Sequence, residues 1–102
     1  MDVHYPFYSP DEFLAKVTDR SISNKRSISV NGKMHEEDAT LSDDEITDLK
    51  ALYRGDVRYM DHHIGKLLDG IKERGLFKDT VFIVTIDYGE LLGEHGLFGH
   101  PL

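Results

Sequence analysis

The sequence contains no cysteine, and this absence removes three kinds of chemistry at once. Without thiols the chain has no disulfide framework, no thiolate metal site and no cysteine nucleophile. It also lacks any apolar run near the ~20 residues of a membrane span, and its N-terminus shows no basic-then-apolar leader. The default expectation for localisation is therefore the cytoplasm.

Positive charge is sparse, since 12 lysines and arginines stand against 19 acidic residues and the formal net charge is −7. Nucleic-acid binding requires a concentrated basic surface, and Lys25-Arg26 is the only adjacent basic pair. The sequence therefore predicts no nucleic-acid partner. Its 102 residues, 39% hydrophobic and 30% charged, indicate a single small domain over residues 1–102.

The clearest pattern is a long amphipathic helix over 43–74. Ser42-Asp43-Asp44-Glu45 forms a capping box and places acidic side chains at the positive end of the helix dipole. Apolar residues then recur at steps of three and four. At about 48 Å such a helix exceeds the needs of a small self-contained domain. We expect it to bend at Gly55 or Gly65, or to lie across a larger body.

A buried strand is predicted over 80–86, where seven successive residues are β-branched or aromatic. Such a run is typical of a strand covered on both faces in the parallel sheet of an α/β protein. One strand cannot form a sheet by itself. We therefore expect a second copy of the chain or a partner chain to cover this segment.

Residues 19–41 have the weakest pattern in the chain. They are polar and show no helical period, which predicts an exposed excursion or loop. The dipeptide Asn31-Gly32 favours a tight turn, so a short hairpin could pair 27–30 with 33–36.

Several short segments follow one another in a specific order along the chain. They are HYPF at 4–7, YRGDVRYMD at 53–61, IGKLL at 64–68, the 80–86 run and DYGELLGEHGL at 87–97. Together they resemble the sulfatases of the alkaline-phosphatase superfamily, in the C-terminal part of the catalytic domain. The resemblance implies a partial α/β sulfatase-like fold. It also implies hydrolysis of sulfate monoesters by a formylglycine made from Cys or Ser, with a calcium or magnesium ion.

The resemblance implies four site residues in this chain. Asp87, after the predicted strand, matches a metal-ligand aspartate, and Tyr88 stands where the family has Asn or His as a second metal contact. His4 matches a histidine that binds the substrate's sulfate, and His100 falls where a Lys or His is directed at the sulfate. Tyr88 is a departure, because a neutral phenol is a poor ligand for a hard cation.

Other features of the family have no counterpart here. The early pair of aspartate ligands and the Cys- or Ser-x-Pro-x-Arg nucleophile segment are absent from the sequence. We therefore expect no catalytic residue in this chain and no hydrolysis by the chain alone. Three interpretations stay open: part of a sulfuric ester hydrolase whose missing part completes the sulfate-ester site, a non-catalytic sulfatase-like remnant that binds a partner or self-associates, and a phosphoryl-transfer relative of the same superfamily.

Overall fold

One long helix organises the fold, and the other elements pack mainly against its N-terminal half. The structure is a computed structural model that describes residues 3–36, 40–86 and 89–99. Its helices are α1 (Asp11–Leu14), α2 (Asn24–Met34) and α3 (Asp43–Glu73). Two short 3-10 turns, Phe77–Asp79 and Glu94–Gly96, accompany the strands β1 (Leu91–Leu92) and β2 (Phe98–Gly99).

Helix α3 begins at the capping box that the sequence predicted. The Ser42 hydroxyl accepts a hydrogen bond from the Glu45 amide, and the Glu45 carboxylate accepts one from the Ser42 amide, both at 3.1 Å. The helix runs for 31 residues and remains helical through Gly55 and Gly65. It therefore spans the predicted range to within one residue. None of the described helices has an apolar stretch long enough to cross a membrane.

The hydrophobic core lies between α2, the N-terminal half of α3 and the segment 3–9. Phe7, Val30 and Leu49 are completely buried, and Leu52 is 1% exposed. Burying side chains of this size contributes about 1.5–3 kcal/mol each. The N-terminal segment is therefore an integral part of the core.

A buried carboxylate joins the chain before α2, and α2 itself, to α3. The Asp48 side chain is 4% exposed, and its oxygens lie 2.6 Å from Arg20 Nε and 2.9 Å from Arg26 Nε. Burial by itself raises the pKa of Asp48, but the hydrogen bonds from the two arginines outweigh that effect and hold the pKa below its ordinary value. The contact thus depends on an ionised Asp48.

A second ion pair links the last turn of α2 to the first turn of α3. Lys33 Nζ lies 2.6 Å from Glu45 Oε2. The hydrogen bond from Lys33, together with the one from the Ser42 amide, lowers the pKa of Glu45 to about 2. Glu45 therefore serves both the capping box and the α2–α3 contact.

The prediction of an exposed loop with a hairpin at 19–41 is wrong for residues 24–34, which form α2. Its N-cap is Ser23, whose hydroxyl accepts from the Arg26 amide at 3.1 Å. The buried positions of the helix have helical spacing, but two of the four are polar, which hid the period: Ser27, Val30, Asn31 and Met34. Asn31 lies in the helix, with its amide buried, and not in a turn.

The buried strand predicted over 80–86 is also not found. This segment is not paired with any other strand of the described residues, and Val81, Ile83, Val84 and Ile86 are 83–87% exposed. A strand requires neighbours, and the described sheet has only two strands of two residues each, paired antiparallel with Leu91 opposite Gly99. The expected α/β class is thus supported only in part, by a mostly helical chain with one small sheet.

The Asp48 contact predicts a loss of stability when its charge is removed. In Asp48→Asn, Arg20 and Arg26 lose their anionic partner, and we expect the free energy of unfolding to fall by about 2 kcal/mol. Urea denaturation followed by circular dichroism measures this change. The control is Asp44→Asn, because that carboxylate is 77% exposed and 3.8 Å from Arg20. Its effect should stay below about 0.5 kcal/mol.

Acid should remove the difference in the free energy of unfolding between wild type and Asp48→Asn. A carboxylate whose pKa is lowered by folding stabilises the protein above its unfolded-state pKa, about 4, and this contribution is lost as the pH falls through the folded-state value. The difference should therefore be constant at neutral pH and shrink below about pH 4. A difference that stays the same in acid would contradict an ionised Asp48.

Candidate functional site

The candidate site is a cavity of about 590 Å³ between residues 3–4, the segment 77–86, Glu90 and one face of α3 between Tyr53 and Leu68. Most of its lining is apolar and comes from α3 and from the segment 77–86. The polar side chains that line it are His4, Tyr53, Thr85 and Glu90. His4 therefore lies in the same cavity as residues that flank positions 87–88 on both sides.

His4 is exposed, and its ring orientation restricts what it can bind. His4 Nδ1 lies 2.7 Å from the carbonyl oxygen of Tyr5. A carbonyl oxygen only accepts, so Nδ1 carries a proton in this contact. The other ring nitrogen, Nε2, can donate to an anion only when the ring is the charged imidazolium.

Aromatic contacts and one close approach position the segment that carries His4. The Tyr5 ring lies 3.7 Å from the His35 ring at the end of α2, and the Phe7 ring packs edge-on against Tyr53 at 5.2 Å. Farther along, Ser9 lies directly against Gly55 of α3, where an added methyl group would be 2.7 Å from the Ser9 Cβ and would overlap its hydroxyl oxygen. The segment is thus held by the end of α2 and by α3.

The second wall of the site comes from the C-terminal segment. Both carboxylate oxygens of Glu90 are shielded from solvent. The following residues pair as β1 and β2, and Gly93 makes the connection with a φ of +106°, against the side chain of Ile46. The backbone amide of Leu92 donates to Glu94 and lowers the pKa of that carboxylate. These contacts fix the segment on the first turns of α3.

Of the four site residues that the resemblance implied, the structure describes His4. Asp87, Tyr88 and His100 lie outside the described residues, so their roles remain predictions. What the structure does bring together is His4 with Ile86 and Glu90, which stand on either side of positions 87–88.

The donor set fits only part of a site for a hard divalent cation. Among residues 3–36, 40–86 and 89–99, no group of three or more His, Asp or Glu side chains could hold a metal ion. Calcium takes about six to eight oxygen ligands, of which the Asp87 carboxylate can supply one or two. The Tyr88 phenol adds a good ligand only if it is deprotonated.

Two residues of this region were missed by sequence reasoning as site residues. Asn31 was assigned to a turn, although its spacing from Val30 and Met34 fits the buried face of a helix. Glu90 was noted only as part of a segment, because the shielding of its carboxylate oxygens depends on the tertiary structure.

Comparison with known proteins gives a match over the complete chain. Residues 1–102 match the family model described as sulfatase. No solved structure matches the chain significantly.

Three curated relatives share parts of the chain. An arylsulfatase of Clostridium perfringens is 37% identical over 49 residues, which are 48% of this chain and 10% of that protein. The multifunctional alkaline phosphatase superfamily protein PehA of Trinickia caryophylli is 39% identical over 61 residues, which are 60% of this chain and 12% of that protein. The low-salt glycan biosynthesis sulfotransferase Agl7 of Haloferax volcanii is 38% identical over 52 residues, which are 51% of this chain and 13% of that protein. The matched part thus spans about a tenth of each relative.

The contact of Ser9 with Gly55 predicts that alanine at position 55 is destabilising. Alanine is the better helix former by about 1 kcal/mol, but its methyl group would overlap Ser9, at a cost of about 1–3 kcal/mol. Gly70→Ala is the matched control, because nothing lies within 4 Å of that position. Urea denaturation should show Gly70→Ala stabilised and Gly55→Ala less stable than it by more than about 1 kcal/mol. Equal stabilisation of both variants would refute the close contact.

Proposed function

The chain belongs to the sulfatase family, and we propose that it forms one part of a sulfuric ester hydrolase site, where it contacts the metal ion and the sulfate. The observation that carries this proposal is the shared cavity. His4, near the start of the chain, lines the same cavity as Thr85, Ile86 and Glu90, which flank the proposed metal ligands in sequence. The proposal thus joins two segments that are far apart in the chain.

Each proposed site residue has a chemical role in this hypothesis. Asp87 binds the cation through its carboxylate, with Tyr88 as a weaker neighbour. His4, as the imidazolium, donates from Nε2 to a sulfate oxygen, and His100 contacts another oxygen. A bound calcium or magnesium ion supplies Lewis-acid stabilisation of the charge on the transferring group. The two histidines hold the remaining oxygens in place.

The proposal assigns the reacting group to residues beyond these 102. The sequence has no cysteine and no serine in a Ser-x-Pro-x-Arg segment, so we expect no covalent sulfate intermediate on this chain. Full relatives are about ten times longer than the matched part. We therefore expect hydrolysis only when the remaining part of a sulfatase completes the site.

A chimera tests the proposed site directly. Residues of this chain replace the matching segment of the Clostridium perfringens arylsulfatase, and hydrolysis of nitrophenyl sulfate is measured. Asp87→Asn should reduce the rate more than about 100-fold, because a Lewis-acid contact contributes several kcal/mol. The matched control is Asp69→Asn, an exposed position on α3, which should leave the rate unchanged.

Three results of the chimera experiment would count against the proposal. An Asp87→Asn variant as active as the Asp69→Asn control would remove Asp87 from the site. Faster hydrolysis of nitrophenyl phosphate than of the sulfate would favour the phosphoryl-transfer alternative. Calcium binding by the isolated chain with a dissociation constant well below about 1 mM, measured by calorimetry, would show that the metal site needs no further residues.

The exposure of the segment 80–86 favours a second candidate, an interaction module. Val81, Ile83, Val84 and Ile86 are almost fully exposed, whereas Phe82 packs on Phe77 with 5.4 Å between ring centroids. An extended apolar segment that is not paired with a strand is a site for strand pairing with another chain. On this proposal, a second copy or the partner chain covers the segment.

Charged substitutions in this segment should weaken self-association. The double variant Ile83→Lys/Val84→Lys places a charge on each face of the segment. We expect its dimer dissociation constant to rise at least about tenfold relative to wild type in sedimentation experiments. The matched control, Ile28→Lys, changes an isoleucine that is 62% exposed on α2 and should behave as wild type. Unchanged association of the double variant would exclude this segment as the interface.

A further inference from the structure

We propose that Asn31 is a positioning residue for His4, because its buried amide holds the backbone of Phe7 and so fixes the segment that carries the histidine. The inference deepens the proposed function and rests on it for the role of His4 at a sulfate. It depends on Asn31 lying on α2, and not in the turn that its sequence neighbours suggested.

The Asn31 side-chain amide forms hydrogen bonds with both backbone polar groups of Phe7. Oδ1 accepts from the Phe7 amide at 2.7 Å, and Nδ2 donates to the Phe7 carbonyl oxygen at 2.9 Å. The second hydrogen of Nδ2 donates to the Ser27 carbonyl oxygen, one helical turn earlier, at 2.8 Å. Phe7 therefore cannot rotate without breaking two hydrogen bonds, and Asn31 is fixed by a third.

Burial makes these hydrogen bonds directional constraints that water cannot replace. Asn31 is 2% exposed and Phe7 is completely buried. Packing of the Phe7 ring against Tyr53 excludes water but is non-directional, so it does not set the orientation of the backbone. An unpaired backbone group at this depth would be costly. The amide thus determines in which direction the chain leaves the core.

The direction of the chain matters because His4 lies only three residues before Phe7. The next contact toward the N-terminus is the Tyr5 ring on His35, which also belongs to the end of α2. The contacts that α2 and its C-cap residue His35 make with the segment 4–7 are thus the hydrogen bonds to Phe7 and the ring contact with Tyr5. From these contacts the segment places His4 at the cavity that it shares with Ile86 and Glu90.

The test compares Asn31→Leu with Asn24→Leu by nuclear magnetic resonance of the complete chain. Leucine has a similar size but cannot hydrogen-bond, and Asn24 is the other asparagine of the chain, exposed on the same helix. In Asn31→Leu we expect the Phe7 amide to exchange its hydrogen at least about tenfold faster relative to the Leu49 amide of α3. The His4 ring signals should shift to the positions of an unfolded peptide.

Adding inorganic sulfate separates this inference from the proposed function. Wild type and Asn24→Leu should show sulfate-dependent shifts of the His4 ring, and Asn31→Leu should show them reduced at least about fivefold. A wild type whose His4 ring ignores sulfate overturns the proposed role of His4, while the exchange and ring-shift comparison still decides whether Asn31 positions it.

Two outcomes overturn the positioning role itself. One is an unchanged exchange rate of the Phe7 amide in Asn31→Leu. The other is faster exchange at Phe7 with His4 ring signals that remain at their wild-type positions. If Asn31→Leu does not fold, Asn31→Ala replaces it, because alanine favours the helix and removes both hydrogen bonds to Phe7 as well as the one to Ser27. The exchange rate of the Phe7 amide and the positions of the His4 ring signals then decide in the same way whether Asn31 positions His4.

Discussion

The contact between α2 and the first half of α3 is the constraint on which the rest of the described structure depends. The buried Asp48 carboxylate gives this contact its geometry, since it accepts from Arg20 and Arg26, whose side chains are partly exposed at the edge of the contact. Apolar burial supplies most of the driving force but does not select one arrangement of two helices. A buried ion pair permits few other arrangements of the two helices, because a shift of one helix against the other would leave the buried charge unpaired.

The candidate site inherits its geometry from that contact. Helix α2 holds the segment 4–7 through Asn31 and His35, and α3 holds the C-terminal segment through the contact of Ile46 with Gly93. His4 and the residues Thr85, Ile86 and Glu90 therefore line one cavity although none of them belongs to a long element. Among the described residues no group of three or more His, Asp or Glu side chains could hold a metal ion, and the matched part spans about a tenth of each relative.

The segment 80–86 shows how far a local pattern can be trusted. Its composition is that of a strand covered on both faces, yet it is exposed in the structure, because strand formation depends on neighbours that the described residues do not provide. The apolar composition of the segment thus indicates that it requires neighbouring strands and covered faces, but it does not show that these are present. The family resemblance was confirmed, whereas the described two-stranded antiparallel sheet does not include the segment 80–86.

The sequence by itself determined α3 and the family. The capping box at Ser42 and the regular apolar spacing are local signals, and they act whatever surrounds the helix. Only the tertiary structure decided that the polar stretch around Asn31 is a helix with one buried face and that His4 shares a cavity with Glu90. The physical reason is that buried polar residues are stable only with partners, and the two backbone groups of Phe7 that pair with Asn31 lie 24 residues away in the chain, beyond the reach of any local pattern.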